Sequence, residues 1–141
     1  MNYLLDTNVV SEWTKPAPDA GVVGWLEQAD EDRIFLSVVT LTELRYGIER
    51  LPLSKRRKAL EDWIDNELLL RFESRILMID PTIADACGKL VAQSEAIGRP
   101  LEVVDAFLAA TAQVNQLTLV TRNVDHFQPF LRIIVNPWTR P

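Results

Sequence analysis

Short continuous runs of apolar residues alternate along the chain with longer stretches in which apolar positions are more widely spaced. Continuous apolar runs are typical of strands that are buried on both faces of a parallel sheet. We predict four such strands and a fifth candidate. The four cover Asn2–Leu5, Arg33–Ser37, Leu117–Val120 and Ile133–Val135, and the fifth candidate covers Ile76–Ile79.

The stretches between these runs have the three- and four-residue apolar spacing of amphipathic helices. Five helices are predicted: from Asp19 to about Ala29, over Thr40–Arg50, from Ser54 onwards, from Pro81 towards Gly98, and from Val103 to about Asn115. Strands separated by helices of this length indicate right-handed parallel crossovers. The predicted fold class is therefore α/β, a three-layer α/β/α sandwich around a central, mainly parallel sheet of four to five strands.

Composition adds limits on domain number and location. The chain has 141 residues, 48% of them hydrophobic and 25% charged, and shows no repeat or linker, so we expect one domain over residues 1–141. Cys87 is the single cysteine, which excludes an internal disulfide and fits a reducing compartment. The longest uncharged run, Ala106–Thr121, is too short and too polar to span a bilayer. We therefore expect the protein to be cytoplasmic and not inserted in a membrane.

The net charge limits the ways in which this protein could act on nucleic acid. With 20 acidic and 15 basic residues the net charge is −5, which argues against a protein that coats nucleic acid through a large positive field. The same excess of acids is compatible with a metal-dependent nuclease, because such an enzyme gathers carboxylates at its active site. The positions of the acids are therefore more informative than their number.

Asp6 directly follows the first predicted strand and opens the polar segment Asp6–Glu12. Ligands of open α/β sheets bind at the carboxyl ends of the strands, so this is the place for a metal-binding carboxylate, with Thr7 and Asn8 as supporting polar groups. The alternative is a helix N-cap or an Asx turn, which Asp, Thr and Asn also favour. The pattern leaves both interpretations open.

Two further acids stand at comparable places. Glu43 lies early in the helix after the second predicted strand, although Thr40 and Glu43 also have the spacing of a capping box. Asp105 is the only charged side chain from Val103 to Thr121, at the start of an alanine-rich helix. Burying it without a partner would be costly, so either a cation compensates its charge or the helix N-terminus does.

Polar residues also follow the strand predicted over Leu117–Val120. Thr121 and Asn123 can hold a water or an acid in place, and Asp125 can reach a metal directly or through water. The alternative is a simple turn before a short helix, which Asn and Asp commonly begin.

Acids that converge from distant strand ends form the oxygen-rich site that Mg²⁺ or Mn²⁺ prefers. Such a site suits phosphodiester hydrolysis, because a metal activates water and stabilises the charge that develops on the phosphate. Carboxylates that lie close together also raise one another's pKa values. The candidate catalytic and metal-binding residues are Asp6, Glu43, Asp105 and Asp125.

Four segments carry a family resemblance: Leu4–Glu12, Thr42–Ile48, Asp105–Ala112 and Thr121–Asn123, with the ending Asn136–Trp138 in addition. In this order they resemble the PIN domain family, and within it the VapC-type, FitB-like ribonuclease toxins. The resemblance implies a metal-dependent endoribonuclease that is the toxin of a type II toxin–antitoxin pair. It also implies a homodimer and a small VapB- or FitA-type antitoxin that covers the active site.

The resemblance assigns Asp6, Glu43 and Asp105 to the acidic core of the family. The fourth position departs from it: many members have Asp where this chain has Asn123, and many of those with the asparagine have Asp where this chain has His126. Asp125 is the candidate substitute. The resemblance also places Arg45 near the site, as a contact for substrate or antitoxin, and Arg122 and Arg99 are further candidates.

Other functions are weighed against the nuclease. A phosphoryl-accepting hydrolase would need a second acid where the chain has Asn8, and a receiver domain would need a late lysine, whereas no lysine follows Lys89. Both classes are disfavoured. The remaining alternative is a catalytically weak or inactive regulatory module that keeps the fold and its antitoxin interface but does not cut RNA.

Overall fold

The computed structural model describes residues 1–138, and within them five strands form one parallel sheet. The strands are β1 (Tyr3–Leu5), β2 (Ile34–Ser37), β3 (Ile76–Leu77), β4 (Thr118–Val120) and β5 (Ile134–Val135). Their order is β3-β2-β1-β4-β5, and every neighbouring pair is parallel. The predicted strands are all present, shortened by one or two residues at an end.

Helices cover both faces of the sheet. They are α1 (Thr7–Glu12), α2 (Ala20–Gln28), α3 (Val38–Glu49), α4 (Lys55–Trp63), α5 (Leu69–Arg71), α6 (Pro81–Ala96), α7 (Val103–Asn115) and α8 (Val124–Phe127). A π-helical turn over Ile64–Leu68 joins α4 to α5. Local signals fix several ends: Asp19 caps α2, Ser54 caps α4, and Gly98 follows α6 with a positive φ of 73°.

Alternate strand residues separate two hydrophobic cores, one on each face of the sheet. Leu4 and Leu119 pack against α6 and α7. Leu5 and Val120 pack against the opposite layer, which contains α1 to α5. This alternation confirms the three-layer α/β/α prediction, because both sheet faces are buried under helices. Within residues 1–138, no helix combines the length and the apolar character that a membrane span would need.

The start of α3 differs from the prediction. The helix begins at Val38 rather than Thr40, and the Ser37 hydroxyl caps it by accepting a hydrogen bond from the Val39 amide at 3.1 Å. The alternative interpretation of Thr40 and Glu43 as a capping box is therefore wrong, because Ser37 already caps the helix one turn earlier. The buried Thr40 hydroxyl has no hydrogen-bond partner among the described residues.

The strand order reverses direction beside β1. From β1 the chain adds β2 and β3 on one side, and it then returns to add β4 and β5 on the other. Such a switch point opens a crevice at the carboxyl ends of the two central strands, where ligands bind in open α/β sheets. Asp6 follows β1 and Thr121 follows β4, so the sheet places both residues at this crevice.

Candidate active site

A cleft of about 400 Å³ lies at the carboxyl edge of the sheet. It brings together three of the predicted acids, one from the end of β1, one from α3 and one from the first turn of α7. The residues that line it are Asp6, Thr7, Asn8, Ser11, Glu43, Glu102, Val104, Asp105 and Asn123. Sequence reasoning did not identify Ser11, Glu102 or Val104, whose positions follow only from the packing of α1 and α7.

Asp6 is the buried centre of this cleft, with 5% of its surface exposed. Its carboxylate accepts hydrogen bonds from the Thr7 amide at 2.7 Å and from the Thr121 hydroxyl at 2.8 Å. The bond from Thr7 makes Asp6 the N-cap of α1. The cap and the cleft acid are therefore one residue in two roles, and the two interpretations of the sequence are compatible.

Burial is the main reason that the pKa of Asp6 is raised from 3.8 to about 6. The hydrogen bonds from Thr121 and Thr7 act in the opposite direction, because they favour the charged form. The negative charges of Asp105 and Glu43 raise the pKa of Asp6 further. Asp6 is therefore close enough to both of the other carboxylates to be repelled by their charges.

Hydrogen bonds across the switch point hold Asp6 in place. The Thr121 hydroxyl, which donates to Asp6, accepts a bond from the Asn123 amide at 3.0 Å. The Asn8 side-chain amide lies 3.5 Å from both Asp6 Oδ2 and Thr121 Oγ1. Asn8, Thr121 and Asn123, which were predicted as supporting groups, thus form one network between the ends of β1 and β4.

Glu43 is tied to the same segment by a different hydroxyl. Thr7 Oγ1 donates to Glu43 Oε1 at 2.5 Å, across 36 residues of sequence. Glu43 is half-buried, and the bond brings its carboxylate to the cleft instead of to the amides of its own helix. Thr7 therefore connects α1 to α3 as well as donating its amide to Asp6.

Asp105 has one close partner that the sequence did not indicate. His126 Nε2 lies 2.9 Å from Asp105 Oδ2. Burial raises the pKa of Asp105, while the charge and hydrogen bond of His126 act to lower it. The lone histidine of the chain was a visible signal, but its partner depends on how α8 folds back onto α7.

Comparison with known proteins assigns the family. Residues 3–129 match the PIN domain family. The chain belongs to this family. It is 38% identical to the plasmid stability protein StbB of Pseudomonas syringae pv. tomato, with 96% of this chain and 97% of that protein covered. It is 33% identical to the VapC ribonuclease Y4jK of Sinorhizobium fredii, covering 96% of each.

A third relative links sequence and structure. Toxin FitB of Neisseria gonorrhoeae is 33% identical, over 96% of this chain and 97% of that protein. The crystal structure of FitAcB from the same species has a TM-score of 0.91 at 33% identity, covering 97% of this chain and 99% of that chain. The predicted family and fold class are confirmed.

Not every predicted site residue of this PIN domain lies in the cleft. Asp125 is exposed on α8, and its backbone carbonyl accepts a hydrogen bond from Arg99 at 2.8 Å. Asn123, two residues earlier, lines the cleft instead. A role for the Asp125 carboxylate in the site remains a prediction.

The predicted contact arginines have partners outside the cleft. Arg45 forms an ion pair with Asp65 at 2.5 Å. Arg122 lies over the ring of Trp138, 5.4 Å from its centroid. Both arginines are close in sequence to residues of the cleft, but the residues that they contact in the structure lie outside it. Contacts of either arginine with substrate or antitoxin therefore remain predictions.

An apolar groove continues from the cleft between α1, α3 and α4. Ser11 and Glu43 line both the cleft and the groove. Farther from the acids, Trp13, Leu60 and Trp63 form its walls, with Arg56 at one side. The PIN domain therefore presents a charged cleft and an adjoining apolar surface on one side of the molecule.

The donor set of the cleft fits a hard divalent cation. Among residues 1–138, no group of three or more His, Cys, Asp or Glu side chains is arranged so that all of them could hold one metal ion directly. Mg²⁺, however, commonly keeps several waters and binds through one or two carboxylates. Besides burial, the negative charges of Asp105 and Glu43 raise the pKa of Asp6 by repelling its ionised form. A bound cation would relieve this repulsion.

Proposed function

We propose that this PIN domain is a metal-dependent endoribonuclease that hydrolyses RNA phosphodiester bonds and is the toxin of a toxin–antitoxin pair. One observation carries the proposal: Asp6, Glu43 and Asp105, from three separate elements, line one cleft at the switch point of the sheet. The names of two relatives, a VapC ribonuclease and a toxin, support the same activity.

Mg²⁺, or Mn²⁺ in its place, is the proposed cofactor, and Asp6, Glu43 and Asp105 would hold it, one or two of them directly and the rest through its bound waters. When bound, such an ion lowers the pKa of water and stabilises charge on the phosphate and leaving oxygen. The protein's own part is to fix the carboxylates. Thr121 and Thr7 do so by donating their hydroxyls to Asp6 and Glu43, respectively.

Neighbouring side chains are proposed to bind the substrate. Asn123 lines the cleft and can donate its side-chain amide to a phosphate oxygen. Asp125, Arg45 and Arg122 keep their predicted roles as a fourth acid and as contacts. We also propose that the protein acts in the cytoplasm, where it would meet RNA.

The groove beside the cleft is the proposed site of the antitoxin. Its walls are apolar and aromatic, which suits a protein segment whose apolar side chains are buried on binding. Because Ser11 and Glu43 belong to both cleft and groove, a segment lying in the groove would block the acids. Inhibition would then follow from where the partner binds.

We also propose that the protein forms a homodimer. Large apolar side chains remain exposed on the single chain, including Leu53 at 88% and Met78 at 71%. Contact between two copies would remove such surface from water. Sedimentation equilibrium of the purified protein should give twice the 16.0 kDa mass of the chain.

Cleavage of RNA by the purified, antitoxin-free protein tests the activity. Wild type should cleave a structured RNA in Mg²⁺ or Mn²⁺ and stop when the metal is chelated, whereas Asp6→Asn should be inactive. Absence of cleavage by wild type would favour the inactive binding module. Unchanged cleavage by Asp6→Asn would show that the activity does not come from this cleft.

A further inference from the structure

His126 is held against the cleft by several contacts. Its Nε2 lies 2.9 Å from Asp105 Oδ2, and its ring meets the Phe127 ring edge-on at 5.4 Å between centroids. Phe127 is fully buried, so the backbone next to His126 is anchored in the core. Arg99 also donates to the Asp125 carbonyl and fixes the same turn. The imidazole therefore has a defined place.

The chemistry of the pair gives the hydrogen bond a direction. An ionised carboxylate has only acceptor sites, so His126 Nε2 must carry the hydrogen and donate it to Asp105 Oδ2. One oxygen of Asp105 is thereby engaged by His126, and the other accepts no hydrogen bond from residues 1–138. The Asp105 side chain is 27% exposed and the His126 side chain 41%, so the pair lies at the rim of the cleft.

We propose that His126 is a positioning residue that orients the Asp105 carboxylate for a divalent cation. The inference rests on the proposed function, because it assumes that Asp105 is a metal ligand. Carboxylate ligands are usually fixed by hydrogen bonds from a second layer of residues, and loss of such a partner typically weakens metal binding by about 10- to 100-fold. His126 is the residue that supplies this bond to Asp105.

Two substitutions separate the hydrogen bond from the bulk of the ring. His126→Phe keeps a planar ring and loses the donor, whereas His126→Gln keeps an N–H donor of similar reach. Mn²⁺ affinity of the full chain, measured by titration calorimetry, should fall by about 10- to 100-fold in His126→Phe and recover to near wild type in His126→Gln. Gln128→Phe, at an exposed position two residues on, is the matched control and should bind as wild type does.

The outcomes distinguish this role from the proposed function. If wild type binds Mn²⁺ and His126→Phe binds it equally well, the positioning role is overturned and the metal site stands. Equal losses in His126→Phe and His126→Gln would overturn it too, because the imidazole itself would then be required. If wild type binds no Mn²⁺, the proposed metal-dependent function fails and the positioning role fails with it. Should His126→Phe not fold, His126→Ala makes the same comparison.

Discussion

At the scale of single residues, Asp6 combines a structural and a chemical role. It caps α1 and also contributes a carboxylate to the cleft, where it is 5% exposed. Burial raises the pKa of Asp6 to about 6, and the hydrogen bonds from Thr121 and Thr7 offset only part of this effect. Keeping Asp6 ionised therefore costs folding free energy, and a bound cation would recover part of it.

The stability of the metal-free protein should depend on pH through Asp6. Between pH 3.8 and about 6 the folded chain binds the Asp6 proton more tightly than the unfolded chain does. The free energy of unfolding should therefore decrease as pH rises through this window and then level off. A pKa of about 6 in place of 3.8 corresponds to about 3 kcal/mol.

Asp6→Asn should remove this decrease, because the amide does not titrate. Urea unfolding between pH 4 and pH 8 measures it, and at pH 8 the metal-free variant should exceed wild type in stability by up to about 3 kcal/mol. Asp85→Asn, at an exposed position of α6, is the control and should keep the wild-type profile. Parallel profiles for wild type and Asp6→Asn would refute the assigned pKa.

The Thr121 hydroxyl should stabilise the protein more than an ordinary buried hydroxyl does. Thr121→Val removes a donor to the buried Asp6 carboxylate and should lower the free energy of unfolding by about 1.5–3 kcal/mol at pH 8. Thr111→Val is the matched control, since the Thr111 hydroxyl donates to the neutral Phe107 carbonyl and should cost about 1 kcal/mol. Equal losses in urea unfolding would argue against a charged Asp6 at that pH.

At the level of elements, α3 shows that residues with the spacing of a capping box need not form one. Thr40 and Glu43 have the spacing of a capping box, but Ser37 sits one turn earlier and caps the helix. Glu43 is then free to accept from Thr7, which lies on α1. Sequence spacing gives the pattern, whereas the choice between two possible caps depends on where β2 ends in the sheet.

Two substitutions at the start of α3, one at its N-cap and one in its first turn, should have opposite effects on stability. Ser37→Ala removes the cap and should lower the free energy of unfolding by about 1 kcal/mol. Thr40→Val removes a buried hydroxyl that has no partner among the described residues and should raise it by about 1 kcal/mol. Thermal or urea unfolding measures both. Destabilisation by Thr40→Val would show that its hydroxyl makes a bond after all.

The groove between α1, α3 and α4 can be tested separately as the binding site of the antitoxin. Ala59 is exposed on α4 and lines the groove, so Ala59→Arg should obstruct it without disturbing the core. Co-purification with the cognate antitoxin should be lost, while RNA cleavage is retained. Ala92→Arg, at an exposed position of α6 in the opposite layer, should bind the antitoxin normally. Normal binding by Ala59→Arg would place the antitoxin elsewhere.

At the scale of the whole molecule, the sheet order converts sequence into a site. Asp6, Glu43 and Asp105 are far apart along the chain, but parallel strands bring their ends to one edge. The fold class was predictable because apolar runs mark strands, and the place of Asp6 and Glu43 because ligands bind at strand ends. Asp105 was singled out for a different reason, as the lone charged residue at the start of an apolar helix. The bonds from Thr121 to Asp6 and from His126 to Asp105 were not predictable, since they span 115 and 21 residues and depend on side-chain geometry.

The negative net charge of the molecule is partly explained by the cleft. The chain carries a net charge of −5, and four of its acids, Asp6, Glu43, Glu102 and Asp105, line the one cleft. Part of the acidic excess therefore belongs to the candidate site. A divalent cation would neutralise some of this charge, so the acidity of the chain does not oppose an RNA substrate.

The proposed function depends on shared binding of a divalent cation by Asp6, Glu43 and Asp105. Titration calorimetry with Mg²⁺ or Mn²⁺ measures it most directly, comparing wild type with Asp6→Asn, Glu43→Gln and Asp105→Asn, and with Asp85→Asn as the control. Wild type and the control should bind the metal, and each of the three cleft variants should lose most of the affinity. Equal affinity in wild type and the three cleft variants would show that these carboxylates do not bind the metal.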